Sequence, residues 1–352
     1  MQMEGGHVAG QLFFVDVCAG AGGLASGLES AGFSPTLLLD NKPQACETLL
    51  ANRPQWTVVC EDLLDFLPEE HPEVLDVDLL SAGLPRVKAA AATKRGDSEP
   101  ELRLLKAAVY LLHAVQPRAL LLENLPALVD SPVYADVRSF IEDELRHLGY
   151  GSHWFVLNAA DFGVPQERLQ GVLVALRDPW LRAFVPPPRT VGQHVSAGQA
   201  LRRSMGARGW PEADAWADQA CFVAPTVVGG SDNRGGPDLG PSGTKRAWAR
   251  MGVNAGAFAD EVPGPDYAWP RSNDVAKMLK ITVDQAAILQ AFPPDWRITG
   301  RKTARYRQIG HATPPPVGKA LGKAISAALR SPAGAETKGR TAPPIAGYTS
   351  SP

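Results

Sequence analysis

The stretch "FFVDVCAGAGGLASGLESAGF", from Phe13 to Phe33, joins a strand pattern to a helix pattern through a glycine-rich turn. The strand pattern ends at Asp16, and Gly20, Gly22 and Gly23 open the helix pattern. Glycines let the backbone approach a ligand closely, and the N-terminus of a helix offers free N–H groups. A tight turn without any ligand uses the same glycines, so the turn alone is a weak indication of a binding site.

The next strand pattern, "PTLLLD", ends at Asp40. A carboxylate at this position can accept hydrogen bonds from both hydroxyls of a ribose. The turn and the acid together favour an adenosine-containing cofactor over a turn without a ligand. On this evidence alone NAD and S-adenosylmethionine are both open.

Buried-strand patterns recur along the first half of the chain, and amphipathic helix patterns separate them. The strand patterns are "QLFFVD" (11–16), "PTLLLD" (35–40), "WTVVC" (56–60), "DVDLL" (76–80), "ALLLEN" (119–124) and "VLVAL" (172–176). Near-continuous apolar runs of this length are typical of parallel sheets. The alternation predicts an α/β fold with a doubly wound, mostly parallel sheet, whose ligand lies beyond the carboxyl ends of the strands.

The pattern changes after the proline-rich connector "FVPPPRT" (184–190). We expect a cofactor-binding domain over 1–188 and a smaller irregular domain over 189–275. Helix patterns return at 282–292 and 315–330, in a C-terminal segment (276–330) that we expect to return to the first domain. The Pro/Ala/Gly/Thr/Ser-rich tail over 331–352 is predicted to be disordered.

The composition excludes several classes of protein. Hydrophobic residues make up 45% and charged residues 20% of the 352 residues, and the net charge is −2. Because dedicated nucleic-acid binders are often strongly basic, any DNA contact must come from a local basic patch. Four cysteines without a CxxC pair argue against a zinc site and a disulfide framework. With no membrane-spanning stretch and no signal-peptide pattern, we expect a cytoplasmic protein without a metal or a membrane contact.

Four segments stand in the order seen in DNA cytosine-5 methyltransferases, and the chain resembles that family from about Leu12 to Ile325. They are "DVCAGAGGLASGLESAGF" (16–33), "ENL" (123–125), "DFGVPQERLQGVLVALR" (161–177) and "RKTARYRQIGHATPPPVGKALGKAI" (301–325). The irregular segment falls where the family keeps its target-recognition domain. The resemblance implies the methyltransferase type of doubly wound sheet.

The resemblance also implies a cofactor, S-adenosylmethionine, or its product S-adenosylhomocysteine, in the glycine turn. Asp40 would bind the ribose, Asp62 would lie near the adenine amine, and "YRQIGHATPPP" (306–316) would complete the pocket. The implied cofactor-binding residues are Asp16, Cys18, Ala19, Gly20, Gly22, Gly23, Leu24, Asp40, Asn41, Asp62, Leu63, Pro85 and His311.

In the family, the cysteine of a Pro-Cys loop attacks carbon 6 of a flipped cytosine, and a glutamate contacts and protonates the ring. Glu123 and Arg168 stand at retained family positions, whereas Arg86 of "AGLPRV" (82–87) stands at the position of the nucleophile. A guanidinium stays protonated in proteins and cannot add to a pyrimidine. Gln170 replaces the last arginine of the family's Gln-x-Arg-x-Arg signature, and His311 replaces its pocket asparagine.

Basic residues give candidates for contacts with double-stranded DNA, although a solvated surface would explain them equally well. We expect DNA contacts from the basic residues Lys245, Arg246, Arg305 and Arg307, and also from the polar Gln166. Lys88, Lys94 and Arg95 add to the positive charge of the loop that holds Arg86.

These observations favour a catalytically impaired homologue that binds S-adenosylmethionine and DNA as a non-catalytic partner or regulator. Two alternatives stay open. One is an active cytosine methyltransferase whose nucleophile comes from a partner subunit, and the other is a methyltransferase repurposed for another substrate. A second methyltransferase-like subunit or a homodimer is the expected protein partner.

Overall fold

A seven-stranded sheet organises the chain, for which a computed structural model describes residues 10–87, 99–230, 237–270 and 274–331. The strand order is β3-β2-β1-β4-β5-β8-β6. The strands are β1 (Leu12–Val17), β2 (Phe33–Asp40), β3 (Val58–Cys60), β4 (Leu79–Gly83), β5 (Ala119–Asn124), β6 (Tyr150–Asn158) and β8 (Leu169–Arg177). β7 (Gln166–Glu167) and β9 (Ala224–Pro225) form a separate parallel pair.

Helices cover both faces of the sheet, so the predicted doubly wound α/β fold is confirmed. They are α1 (Gly23–Ser30), α2 (Pro43–Asn52), α3 (Glu99–Val115), α4 (Ala127–Asp130), α5 (Ala135–His147), α6 (Ala197–Met205), α7 (Ala213–Gln219), α8 (Ser242–Arg250), α9 (Val283–Leu289), α10 (Lys302–His311) and α11 (Pro315–Leu329). Successive strand residues enter different cores: Phe14 packs with α1 and α11, whereas Val15 packs with α3 and α5.

The last two strands of the sheet depart from the sequence prediction. β8 contains the predicted 172–176 run, but it is antiparallel to both β5 and β6. β6 was not predicted, because it is an edge strand whose Ser152 and His153 interrupt the apolar pattern. α5 was not predicted either, since only Ile141 and Leu145 among its residues are buried.

The segment over 189–275 is more regular than its sequence indicates, because it contains α6, α7 and α8. Trp216 and Trp248 are fully buried within it, and Trp216 Nε1 donates to the carbonyl of Met251 at 3.0 Å. Short helices held by such tertiary contacts leave little periodicity to read. All but Ser331 of the predicted tail lies outside the described residues.

The strand order reverses between β1 and β4. β1 pairs in parallel with β2 on one side and with β4 on the other. Open α/β sheets bind ligands outside the carboxyl ends of the strands at such a switch point. The glycine turn after Val17 and the loop after Gly83 therefore open onto the same crevice.

Candidate functional site

The glycines of the turn have two different tasks. A Cβ on Gly22, whose φ is 78°, would lie 2.6 Å from Leu49 Cδ2 and 2.9 Å from Trp296 Cζ2. A Cβ on Gly23 would lie 2.2 Å from the carbonyl oxygen of Thr313. Close packing therefore demands these two glycines. Gly20, with a φ of 55°, has no atom of the described residues within 4 Å of its would-be Cβ, so a ligand can approach the backbone there.

Asp40 ties the turn to the end of β2. One carboxylate oxygen accepts from the backbone N–H of Gly20 at 2.8 Å, and the other accepts from that of Lys42 at 2.9 Å. Burial raises the pKa of Asp40 above its ordinary value, although both hydrogen bonds oppose the increase. Each carboxylate oxygen retains a lone pair, so the acid can still accept from a ligand.

Asp62 stands at the neighbouring strand end, after β3. Its carboxylate accepts from Asn41 Nδ2 and from the N–H of Leu64, each at 2.9 Å. The predicted ribose and adenine acids thus lie after adjacent strands, with orientations fixed by hydrogen bonds.

Asp16 is a fully buried acid at the end of β1. Ser81 Oγ donates to its Oδ1 at 2.6 Å, while its Oδ2 has no partner among the described residues. Burial, assisted by the nearby charge of Asp40, raises the pKa of Asp16 to about 7. Burial and then the charges of Asp40 and Asp16 also raise the pKa of Cys18 far above its ordinary value, so that thiol is neutral at pH 7.

Three other predicted cofactor residues act through packing or the backbone. The side chains of Leu24 and Leu63 lie in the hydrophobic cores. The N–H of Ala19 donates to the carbonyl of Leu39 at 3.0 Å, which fixes the start of the turn.

The loop after β4 presents Arg86 between two anchored residues. Asn124 Nδ2 donates to the carbonyl of Pro85 at 3.2 Å, and its Oδ1 accepts from the N–H of Val87 at 3.2 Å. Tyr134 Oη donates to the carbonyl of Val87 at 3.0 Å. Arg86 and Pro85 are exposed, whereas Val87 is buried. The sequence analysis did not identify Asn124 or Tyr134 as residues that position this loop, although Asn124 directly follows Glu123 at a strand end.

Glu123 and Gln170 lie on one face where β5 meets β8, and Arg168 directly precedes β8. Glu123 is opposite Val172, and Gln170 lies two residues before Val172 on the same face of β8. Thr313 Oγ1 donates to Glu123 Oε2 at 3.1 Å. Among the described residues, Glu123 Oε1, Arg168 Nε and both amide atoms of Gln170 are buried without a hydrogen-bond partner. Because such atoms each cost about 1–3 kcal/mol, they mark a polar pocket that a ligand or water can satisfy.

Arg168 connects this pocket to the segment after β9. Its Nη1 donates to the carbonyl of Val227 at 3.0 Å. Burial and the nearby charge of Arg86 lower the pKa of Arg168 to about 10, while Glu123 opposes the decrease. Arg168 is therefore still a cation at pH 7.

His311 lies at the end of α10, against the same segment. A Cβ on Gly229 would lie 2.9 Å from His311 Cδ2. Burial of the imidazole against this segment, followed by the charges of Lys42, Arg168 and Arg86, lowers the pKa of His311 to about 4. Its imidazole is therefore neutral at pH 7.

The structure places the predicted DNA-contacting residues in different environments. Gln166 was predicted to contact DNA, but it is fully buried inside the protein. Its Nε2 donates to Gln290 Oε1 at 2.6 Å, and its Oε1 accepts from the N–H of Val227 at 2.7 Å. Its amide is used inside the protein, where it joins β7 to the segment after β9.

The four basic candidates differ in how their charge is used. Lys245 forms an ion pair with Asp238 at 2.7 Å, and Arg305 pairs with Asp284. Arg246 is exposed and Arg307 half-buried. The pairing leaves Arg246 better suited to contact phosphate than Lys245 or Arg305.

The described part of the chain contains neither a metal-binding cluster nor a membrane-spanning helix. No cluster of three His, Cys, Asp or Glu side chains in this part of the chain could hold a metal ion. None of the helices described is both long and apolar enough to cross a membrane.

Comparison with known proteins gives a family match and close relatives. Residues 12–223 and 230–327 match the family of C-5 cytosine-specific DNA methylases. The type II methyltransferase M.NaeI of Lentzea aerocolonigenes is 43% identical over 320 residues, which are 90% of this chain and 75% of that protein. The type II methyltransferase M.NgoMIV of Neisseria gonorrhoeae is 36% identical over 91% of this chain and 99% of its own length.

Solved structures share the fold at lower identity. A DNA modification methyltransferase encoded within an Escherichia coli prophage has a TM-score of 0.62 at 17% identity, over 91% of this chain and 99% of that one. A Spodoptera frugiperda DNMT2 variant has a TM-score of 0.60 at 16% identity, over 90% of this chain and 99% of that one. From the family match and the two relatives above 30% identity, the chain belongs to the C-5 cytosine-specific DNA methylases, whose cofactor is S-adenosylmethionine.

Proposed function

We propose that this chain binds S-adenosylmethionine and double-stranded DNA but does not transfer a methyl group by itself, and that it acts as a non-catalytic partner or regulator. The observation that carries the proposal is Arg86 at the position of the family's nucleophile, held in place by the bonds of Asn124 to Pro85 and Val87. Carbon 5 of cytosine is a poor nucleophile until a thiolate adds to carbon 6, and a guanidinium cannot perform that addition.

The four cysteines offer no evident replacement for the missing nucleophile. Cys18 lies in the glycine turn, where its raised pKa keeps the thiol protonated. Cys46 is buried in α2, and Cys60 ends β3 on the far side of β2. Cys221 is exposed beyond α7. A thiolate is the reactive form of cysteine, so the environment of Cys18 is the opposite of an activating one.

The crevice residues fit the cofactor, which supplies a methyl group when bound. The open side of Gly20 and the free N–H groups at the start of α1 suit the polar end of the ligand. Asp16 Oδ2, which has no partner among the described residues, offers a buried acceptor to a ligand N–H group, and Asp40 and Asp62 offer acceptors for the adenosine. The buried pocket of Glu123 and Gln170 has both donors and acceptors for a base edge.

Two measurements on the purified chain test the proposal. We expect an electrophoretic shift of double-stranded DNA and heat of binding with S-adenosylmethionine, but no transfer of a tritiated methyl group to that DNA. Arg86→Cys supplies a thiol at the family position, and Arg86→Ser is its matched control. Weak transfer by Arg86→Cys alone would identify Arg86 as one cause of inactivity, while Gln170 and His311 limit the rate.

Robust methyl transfer by the unmodified chain would overturn the non-catalytic assignment. Transfer that appears only after addition of a second methyltransferase-like chain would assign the nucleophile to that partner. Absence of heat on titration with S-adenosylmethionine would refute cofactor binding.

A further inference from the structure

Two cysteines, Cys46 and Cys60, lie beside the backbone of Asp40. Cys60 is the register partner of Asp40 in the parallel pairing of β3 with β2. Cys46, in the first turn of α2, donates its S–H to the carbonyl of Asp40 at 3.3 Å. The N–H of Glu61, the residue after Cys60, donates to the same carbonyl at 3.1 Å. One carbonyl oxygen thus connects the elements that carry the two thiols.

The two side chains also face each other. Val58 packs with the same core as Leu49 of α2, and Cys60 points to that side because residues two apart on a strand share a face. Both cysteines are free thiols, and Cys60 lies near enough to Cys46 to raise its pKa. Cys60 is exposed to solvent, whereas Cys46 is only 6% exposed.

We propose that Cys46 and Cys60 are a reversible oxidation site at which hydrogen peroxide forms a disulfide between β3 and α2. The exposed Cys60 thiolate attacks a peroxide oxygen, the O–O bond breaks, and Cys60 becomes a sulfenic acid as one water forms. The Cys46 sulfur then attacks the Cys60 sulfur, the S–O bond breaks, and the hydroxyl leaves with the Cys46 proton as a second water. Two thiols are oxidised to one disulfide while hydrogen peroxide is reduced to two waters.

The environment of Cys46 determines how the second step depends on pH. Burial and the neighbouring Cys60 raise the pKa of Cys46 to about 12. Since the thiolate is the attacking form, the second step accelerates as the pH rises. Disulfides in a reducing compartment are usually transient, so a reductant reverses the reaction.

Oxidation affects the ends of β2 and β3, which carry Asp40 and lead to Asp62. The disulfide removes the S–H donor from the carbonyl of Asp40 and links the start of α2 to the strand that leads to Asp62. The effect of oxidation on cofactor affinity rests on the proposed binding of S-adenosylmethionine. We expect roughly fivefold weaker binding by the oxidised protein, because a displaced Asp40 or Asp62 carboxylate loses about one net hydrogen bond to the ligand.

The test treats the full-length reduced protein with hydrogen peroxide and maps its peptides without reduction. We expect a Cys46–Cys60 disulfide that dithiothreitol reverses, and faster formation at pH 9 than at pH 7. Cys60→Ser removes the exposed member of the pair with little effect on packing and abolishes the disulfide. The matched control Cys221→Ser removes another exposed cysteine and leaves the disulfide intact.

The titration with S-adenosylmethionine is then repeated on the oxidised protein and on oxidised Cys60→Ser. Weaker binding by the oxidised wild type alone supports the regulatory part, and equal binding refutes it. If peroxide modifies Cys221 but never joins Cys46 to Cys60, the oxidation site is refuted. Because the disulfide is detected by mass spectrometry, absence of cofactor binding would contradict the proposed function without affecting this outcome.

Discussion

At the scale of the residue, the crevice is defined by carboxylates whose surroundings differ. Asp40 accepts from two backbone N–H groups, Asp62 accepts from Asn41 and Leu64, and Asp16 keeps one buried oxygen without a partner among the described residues. The strand-end position of Asp40 was readable from the sequence. The burial of Asp16 against Ser81 was not, because it depends on the pairing of β1 with the distant β4.

Replacement of Asp40 by asparagine tests its contact with the turn. The amide has a single oxygen acceptor, and its NH₂ group would face an N–H donor of Gly20 or Lys42. Hydrogen bonds to charged groups contribute about 1.5–3 kcal/mol, so we expect the affinity for S-adenosylmethionine to fall roughly 10- to 100-fold. Isothermal titration calorimetry measures the change. The exposed Asp65→Asn is the control, and equal affinities for the two variants would contradict the assignment.

The raised pKa of Asp16 predicts that the free energy of unfolding depends on pH. Its pKa is about 7 in the folded chain against an ordinary value of 3.8, so the folded chain binds more protons than the unfolded chain between these values. The free energy of unfolding therefore decreases as the pH rises through this window and levels off above it. Asp16→Asn does not titrate, so from pH 5 to pH 7 its stability should rise relative to the wild type by about 2 kcal/mol.

Urea denaturation of the wild type and of Asp16→Asn at both pH values gives this difference. The constant cost of placing an amide beside Ser81 cancels in the comparison between pH values. A difference that is the same at pH 5 and pH 7 would show that Asp16 is ionised in the folded chain.

At the scale of the element, apolar runs predicted strands wherever a strand is buried on both faces. β1, β2, β4 and β5 coincide with predicted runs to within a few residues, whereas the edge strand β6 was missed. The antiparallel direction of β8 is not contained in its composition, since a buried strand is apolar in either direction. The direction of β8 is therefore set by its tertiary pairing with β5 and β6.

The contact of α1 with α11 depends on glycines that the sequence pattern did not single out. A Cβ on Gly27 would lie 2.5 Å from the carbonyl oxygen of Pro315 and 2.7 Å from the N–H nitrogen of Lys319. Both are backbone atoms, so Gly27→Ala must move one helix away from the other. We expect a loss of about 1–3 kcal/mol in the free energy of unfolding, measured with urea.

Gly243→Ala is the matched control for that variant. Gly243 lies in α8, and no atom in the described part of the chain is within 4 Å of its would-be Cβ. Alanine is the better helix former, so this variant should gain about 0.5–1 kcal/mol. If both variants gained stability, the α1–α11 contact would not be as close as described.

At the scale of the whole molecule, the sequence order of the motifs predicted what the sheet brings together. The glycine turn, the Arg86 loop, Glu123 and Thr313 come from four distant parts of the chain and meet at the carboxyl ends of β1, β4 and β5. The sequence could not predict which basic side chains form ion pairs with acids. The tertiary fold determines which acids lie next to Lys245 and Arg305. The same holds for Gln166, whose partner Gln290 is 124 residues away.

A chain with a net charge of −2 must bind DNA through a local field, and this makes the salt dependence informative. The logarithm of the association constant should fall linearly with the logarithm of the salt concentration, because phosphate contacts release counterions. Arg246 is exposed on α8, so Arg246→Ala should reduce the slope by about 1 and weaken binding similarly for unrelated DNA sequences. Arg146→Ala on α5, where the guanidinium pairs with Asp143, is the control. Fluorescence anisotropy gives both slopes, and an unchanged slope for Arg246→Ala would place the DNA on another surface.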